Sequence, residues 1–207
     1  MRDVNPLNLG LKEEEIYNLL KELPLRADRE TLRKELGEEI LPLFTTHREP
    51  PEGYRLREVL LYGISECQRA EKLANLSRKG NWEKIGKLMY IAHDGDRVSR
   101  RGEEYLPALT DETLDRFYRE KIPLEEVPGS YSCSIPELDE MVDLVKESPR
   151  VLGARLTGAG LGGSIVILLE KGGEEEVKKI LLKGYYEKKG IPPLLIEGYP
   201  VEGAGKI

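Results

Sequence analysis

Residues 151–171 read VLGARLTGAGLGGSIVILLEK, and two apolar runs there flank the six residues Gly158-Ala-Gly-Leu-Gly-Gly163, four of them glycine. No other stretch restricts the fold as much. Six residues joining two strand-like runs make a hairpin, so the strands must be antiparallel. Glycine tolerates positive φ and lets a backbone approach a ligand closely. Successive exposed N–H groups in such a turn form a concavity that favours anions. Gly158, Gly160 and Gly163 also fit G-x-G-x-x-G, but a dinucleotide fingerprint needs a helix directly after its glycines. The next residues, Ser164 to Leu169, read SIVILL and predict a strand, which rejects that fold. A loop whose glycines served turn geometry alone would need one or two of them, so the loop is read as a site.

The C-terminal third is organised around this hairpin. Ser134-Ile-Pro-Glu137 reads as a capping box, followed by a helix carrying Leu138, Met141, Val142 and Val145. A helix from Glu174 to about Lys189 and a last apolar run, Leu194 to Tyr199, complete the order helix, strand, strand, helix, strand. That order predicts an α+β layer, helices on one face of a small antiparallel sheet.

The preceding residues read as helical. Leu11, Ile16, Leu19, Leu20 and Leu23 form a stripe that Pro24 stops. Asp28 caps a second helix predicted through Phe44, weakened by Gly37 and Pro42. Leu56, Leu60, Ile64, Cys67, Ala70 and Ala74 mark a long helix; Gly80 breaks the pattern, and Trp82, Ile85, Met89 and Ala92 resume it. The two predict a helical hairpin, with Arg69, Glu71 and Lys72 on a solvated face. Residues 100–130 are polar and irregular, with one short helix after Thr110, and read as an insertion or lid-like excursion. One domain, 1–207, is therefore expected: a helical segment 1–53, a helical hairpin and insertion 54–130, and an α+β core 131–207.

Composition narrows the function classes. The net charge of -6, with no basic stripe, argues against a nucleic-acid face. No apolar run approaches a membrane span, and MRDVNPLNLG lacks a signal-like apolar stretch, so a cytoplasmic protein is expected. Cys67 and Cys133 have no metal-ligand spacing and read as reduced, buried thiols. Glutamine is nearly absent while Glu, Lys and Arg abound, a composition that hints at a thermophile.

Other candidates are weaker. His93-Asp94-Gly95-Asp96-Arg97 reads either as a metal or phosphate site or, preferably, as a helix end closed by His93 and Gly95. His47 lies in a loop and reads as solvated. Arg155 and Thr157 share one side of the first strand; Arg155 fits equally a ligand cation or a structural ion pair, and Thr157, abutting the loop, is the better candidate. No Ser/His/Asp arrangement can be assembled.

GARLTGAGLGGSIVIL, from Gly153 to Leu168, resembles the third conserved motif of galactokinases in the GHMP family of small-molecule kinases. YSCSIPELDEMVDLV, from Tyr131, is similar to the stretch preceding that motif. ISECQRAEKLANLSRKGNWEKIGKLMYIAHD, from Ile64, is similar to their paired central helices, and LKELPLRADRETLRKEL, from Leu20, to the segment opening their C-terminal half. The closing YPVEGAGKI resembles their terminal strand. The resemblance implies a GHMP kinase C-terminal-like, ferredoxin-like small antiparallel sheet covered by helices, with additional N-terminal helices. It implies substrate or phosphate binding at Thr157, Gly158, Ala159, Gly160, Leu161, Gly162, Gly163 and Ser164, with no catalytic residue and no metal ligand on this chain. The family's Gly/Ser-rich phosphate loop, catalytic Asp and Arg, and magnesium ligands belong to an N-terminal domain with no counterpart among these motifs. ATP and Mg2+ are thus expected only in complex with an N-terminal half. Asp94-Gly95-Asp96-Arg97 and the long segment from Ser99 to Ser130 depart from the galactokinase pattern and leave the sugar open.

Three functions follow as expectations. The chain is the C-terminal half of a galactokinase-like ATP-dependent sugar kinase, completed by a separate N-terminal half; or a non-catalytic sugar- or nucleotide-binding or regulatory module; or a structural homodimer, formed over an apolar face that the N-terminal half would cover.

Overall fold

The computed structural model describes residues 4–199. Short helices open it: α1 (Pro6–Leu9), α2 (Glu15–Lys21), α3 (Arg29–Leu36) and α4 (Leu41–Phe44). Asp28 caps α3 as expected, its carboxylate accepting the Thr31 N–H at 2.8 Å. The helix predicted through Phe44 is instead interrupted at Gly37, whose φ of 78° lies in the left-handed region and leads into a single turn of 3-10 helix.

A long helical hairpin follows, α5 (Leu56–Arg78) and α6 (Trp82–Asp96), turned at Gly80 and capped by Asn81. The buried face of α5 is rotated from the predicted stripe. Arg57, Glu58, Leu61, Ile64, Ser65 and Arg69 are buried, while Ala70 and Ala74 are exposed. Arg69, expected in solvent, is only 2% exposed. Its guanidinium donates to the Glu125 and Val127 carbonyls at 3.1 and 2.8 Å and to Glu66 at 2.5 Å. Lys72 bonds Glu125. Periodicity of apolar residues cannot see a helix face whose contacts are hydrogen bonds to carbonyls. Arg69→Met is therefore expected to cost about 2 kcal/mol in urea denaturation, because two buried carbonyls lose their donors. A surface arginine would cost under about 0.5 kcal/mol.

Residues 99–130 hold a minimal hairpin, β1 (Ser99–Arg100) with β2 (Glu103–Glu104), and α7 (Asp111–Glu120), which Thr110 caps. This stretch is no detached excursion. Leu109, Leu114, Leu124 and Val127 join Ile16, Tyr17 and Leu20 of α2 and Leu61 and Ile64 of α5 in one core cluster. Tyr17 fixes the seam through its hydroxyl, which donates to the Ile122 carbonyl at 2.7 Å.

The second core surrounds the predicted hairpin. α8 (Pro136–Lys146) buries Leu138, Met141, Val142 and Val145, all four expected. Its start differs from the capping box: Pro136 occupies the first helical turn after Ile135, which makes no side-chain cap. The Ser134 hydroxyl instead donates to the Ile135 carbonyl at 3.4 Å. β3 (Val151–Thr157) and β4 (Ser164–Leu169) pair antiparallel, closing on Thr157 opposite Ser164. α9 (Glu174–Leu181), a π-type turn through Tyr186 and α10 (Glu187–Lys189) pack Val177, Leu181, Tyr185 and Tyr186 beneath the hairpin.

The architecture is thus α+β, with two two-stranded sheets among the described residues. The third strand predicted over Leu194 to Tyr199 is absent: residues 191–199 form no strand, and Leu194 and Ile196 are 78% and 87% exposed. Pro192 and Pro193 have no N–H to give a ladder just ahead of it. The rest of the closing YPVEGAGKI, from Pro200, lies outside the described residues. No helix among the described residues is long and apolar enough to cross a membrane.

Candidate functional site

β3 and β4 carry the glycine loop at the closed end of their hairpin. Gly158, Ala159, Leu161 and Gly163 are exposed, and so are the flanking Thr157 and Ser164. Gly158, Gly160, Gly162 and Gly163 all have positive φ, from 86° to 126°, and Leu161 joins them at 60°. That run explains the four glycines: L side chains rarely adopt such a backbone. Among the described residues the loop's N–H groups donate to no protein acceptor except that of Leu161, which donates to the Cys133 carbonyl at 2.6 Å. The remaining N–H groups are the feature an anion would use.

The loop is gripped at its tip by the segment before α8. A Cβ on Gly160 would strike the Cys133 carbonyl and lie 2.7 Å from Cys133 Sγ. Cys133 in turn donates its S–H to Asp96 Oδ1 at 3.2 Å. Burial, with the Asp96 carboxylate beside it, pushes the Cys133 thiol up to about 12, so it remains a donor at neutral pH. Both cysteines are free and half-buried.

Arg155 resolves to the structural alternative. Its Nη1 meets Glu66 at 3.2 Å, its Nη2 lies 3.5 Å from Asp96, and its Nε donates to the Leu156 carbonyl at 3.2 Å. It braces β3 against α5 and α6.

The His93–Arg97 stretch is the end of α6, as preferred: the His93 carbonyl accepts the Arg97 N–H at 2.9 Å, but Gly95 does not close the helix. α6 continues through Asp96, so Gly95 is inside the helix. It is glycine for space: a Cβ there would meet the Pro128 carbonyl and the Tyr62 ring. His93 is fully buried; its Nδ1 accepts the Leu156 N–H at 3.2 Å and its Nε2 lies 3.3 Å from Asp139. Asp94 pairs with Arg97 and Arg100 at 3.1 and 3.0 Å. His47, expected to be merely solvated, contacts the Tyr54 hydroxyl at 2.9 Å and Thr46 at 3.0 Å. Among the described residues no three His, Cys, Asp or Glu side chains gather as a metal site.

Cys133 and Asp96 are named separately by sequence reasoning, and neither is joined by it to this site. Neither lies on a periodic pattern, and only the fold brings them together under the loop.

Residues 112–187 match the family model for the C-terminal domain of GHMP kinases. The galactokinase of Thermotoga maritima is 24% identical over 196 residues, covering 95% of this chain and 43% of that protein. That of Thermosipho africanus is 26% identical over 144 residues, 70% of this chain and 32% of that protein. The galactokinase of Bos taurus is 28% identical over 123 residues, 59% of this chain and 24% of that protein. The chain therefore spans less than half the length of these relatives.

Proposed function

We propose that this chain, a galactokinase-like C-terminal half of a GHMP kinase, forms one wall of an ATP-dependent sugar kinase site. The other wall is an N-terminal kinase half. The carrying observation is the loop from Gly158 to Gly163, with positive φ at every residue but Ala159, whose N–H groups have no protein acceptor apart from that of Leu161. In this reading the loop backs the nucleotide phosphates, with the Thr157 and Ser164 hydroxyls at its two feet. ATP and Mg2+ are held mainly by the N-terminal half, where the metal neutralises charge on the phosphates. This chain's part is to orient N–H donors at phosphate oxygens, which needs no catalytic side chain of its own.

The test combines the full chain with the N-terminal half of a galactokinase and measures ADP release with a panel of sugars. Turnover is expected in the mixture and not in either half. Gly160→Ala is expected to lower kcat roughly hundredfold with the complex intact, because displacement of the loop tip by about an ångström misaligns its donors. A stable complex that turns over no sugar would overturn the kinase reading. ATP or sugar stabilising the chain alone would move it to a non-catalytic binding module.

A further inference from the structure

We propose that Asp96 is a positioning residue, which holds the Gly158–Gly163 loop in its working shape through Cys133. The functional half of this inference rests on the phosphate-facing reading of the loop; the clamp itself rests on geometry alone.

Asp96 sits at the last residue of α6 and is 2% exposed. Its contacts come from four directions. Its main-chain carbonyl accepts the Ser134 N–H at 2.8 Å. Its carboxylate accepts the Cys133 thiol at 3.2 Å and faces Arg155 at 3.5 Å. The pKa of the Tyr62 phenol, from α5, is raised by burial and by this carboxylate, so its hydroxyl stays protonated beside it. One residue earlier, the Gly95 carbonyl accepts both Tyr131 and Ser132 N–H, at 2.7 and 3.1 Å. Residues 131–134 are thereby strapped across the end of α6.

The strap is not relaxed. Ser132 has a φ of 58°, left-handed for a residue with a Cβ, so its shape is imposed by its bonds. What the strap offers the loop is Cys133: its carbonyl for Leu161 N–H, its side chain as the floor beneath Gly160. A buried carboxylate is expensive unless its partners satisfy it. Here the side-chain partners are the residue that touches the loop, the arginine on the strand feeding it, and a tyrosine stacked on Tyr131 with centroids 5.3 Å apart. The carboxylate therefore ties loop tip and loop foot to one helix end.

The test follows the Leu161 amide by NMR in the 15N-labelled full chain. Wild type is expected to show a downfield, slowly exchanging Leu161 N–H. In Asp96→Asn its exchange should quicken about tenfold, the worth of one hydrogen bond, and its resonance should move upfield. The α9 amides of Val177 and Leu181 should not change. Cys133→Ala, which removes the thiol donor and keeps the carbonyl, should move Leu161 in the same direction, and Cys133→Ser, which restores a donor, should return it. Should Asp96→Asn fail to fold, the cysteine pair and Tyr62→Phe carry the test. A Leu161 amide that is unmoved in these variants, or that changes only in step with α9, would overturn the clamp. Pyrophosphate added to wild type separates the two halves. Loop amides that ignore it would overturn the phosphate reading with the clamp intact. Equal pyrophosphate affinity in wild type and Asp96→Asn would overturn the positioning role.

Discussion

Gly86→Ala is expected to lower stability by about 3 kcal/mol or more, although alanine is the better helix former by about 1 kcal/mol. Gly86 lies in the middle of α6, where an ordinary glycine would gain from the change. Here a Cβ would fall on the Leu152 carbonyl of β3 and lie 3.0 Å from the Gly153 nitrogen. The obstacle is backbone, which cannot rotate aside as a long side chain can. Gly153 is the reciprocal half, since its own Cβ would meet Gly86 Cα. Helix and strand thus touch main chain to main chain, and this contact sets the height of β3 and hence of the glycine loop. The sign makes the measurement clear. Urea denaturation of Gly86→Ala should show a lower midpoint, while Lys87→Ala, on the exposed side of α6, should stay within about 0.5 kcal/mol of wild type. A stabilised Gly86→Ala would show that the two backbones are not in contact.

This glycine pair marks where sequence reasoning stops. The hairpin was legible because six loop residues and two apolar runs allow little else, and the strands close on Thr157 opposite Ser164. The stripe of α8 was legible because the four apolar positions named for it face one core. Gly86 was invisible: within a helix a glycine reads as a weak propensity, and its use as a contact depends on a strand over sixty residues away. Arg57, Glu58 and Arg69 were hidden for another reason. They are charged residues on a buried face whose partners only the fold supplies: carbonyls for Arg57 and Arg69, and Arg26 and the Leu109 N–H for Glu58. Leu194 to Tyr199 misled in the opposite way, since apolar composition marks a strand only if a partner edge pairs with it. At the site, the glycines were readable and their support was not. Asp96 and Cys133 act through contacts made across 37 residues of chain.

Asp139→Asn is expected to remove about 3–4 kcal/mol at neutral pH, as breaking a buried, hydrogen-bonded charge does. Asp139 is fully buried in the first turn of α8 and joins three other elements. Its Oδ2 accepts the N–H groups of Val98 and Ser99 at 3.0 and 2.8 Å, and the Ser99 hydroxyl at 3.3 Å. Its Oδ1 faces His93 Nε2 at 3.3 Å. Because His93 Nδ1 accepts the Leu156 N–H, the imidazole proton sits on Nε2, directed at the carboxylate. An asparagine must either turn its NH2 toward two backbone donors or turn it toward that Nε2–H, so on one side donors are set face to face. Burial alone would raise the Asp139 carboxyl, but hydrogen bonds from His93, Ser99 and Val98 outweigh it and hold it below its ordinary 3.8. The sign of the pH effect follows. A depressed carboxylate contributes stability that is fully present above its unfolded value and is lost as pH falls through the folded one. The stability gap between wild type and Asp139→Asn should therefore be widest at neutral pH and narrow below about pH 4. Urea midpoints of the two proteins, measured from pH 7 down to pH 3, check this. A gap of constant size across that range would mean that Asp139 contributes packing and no charge. A narrowing gap assigns the joint between α6, α8, β1 and β3, and with it the seat of the glycine loop, to a single buried carboxylate.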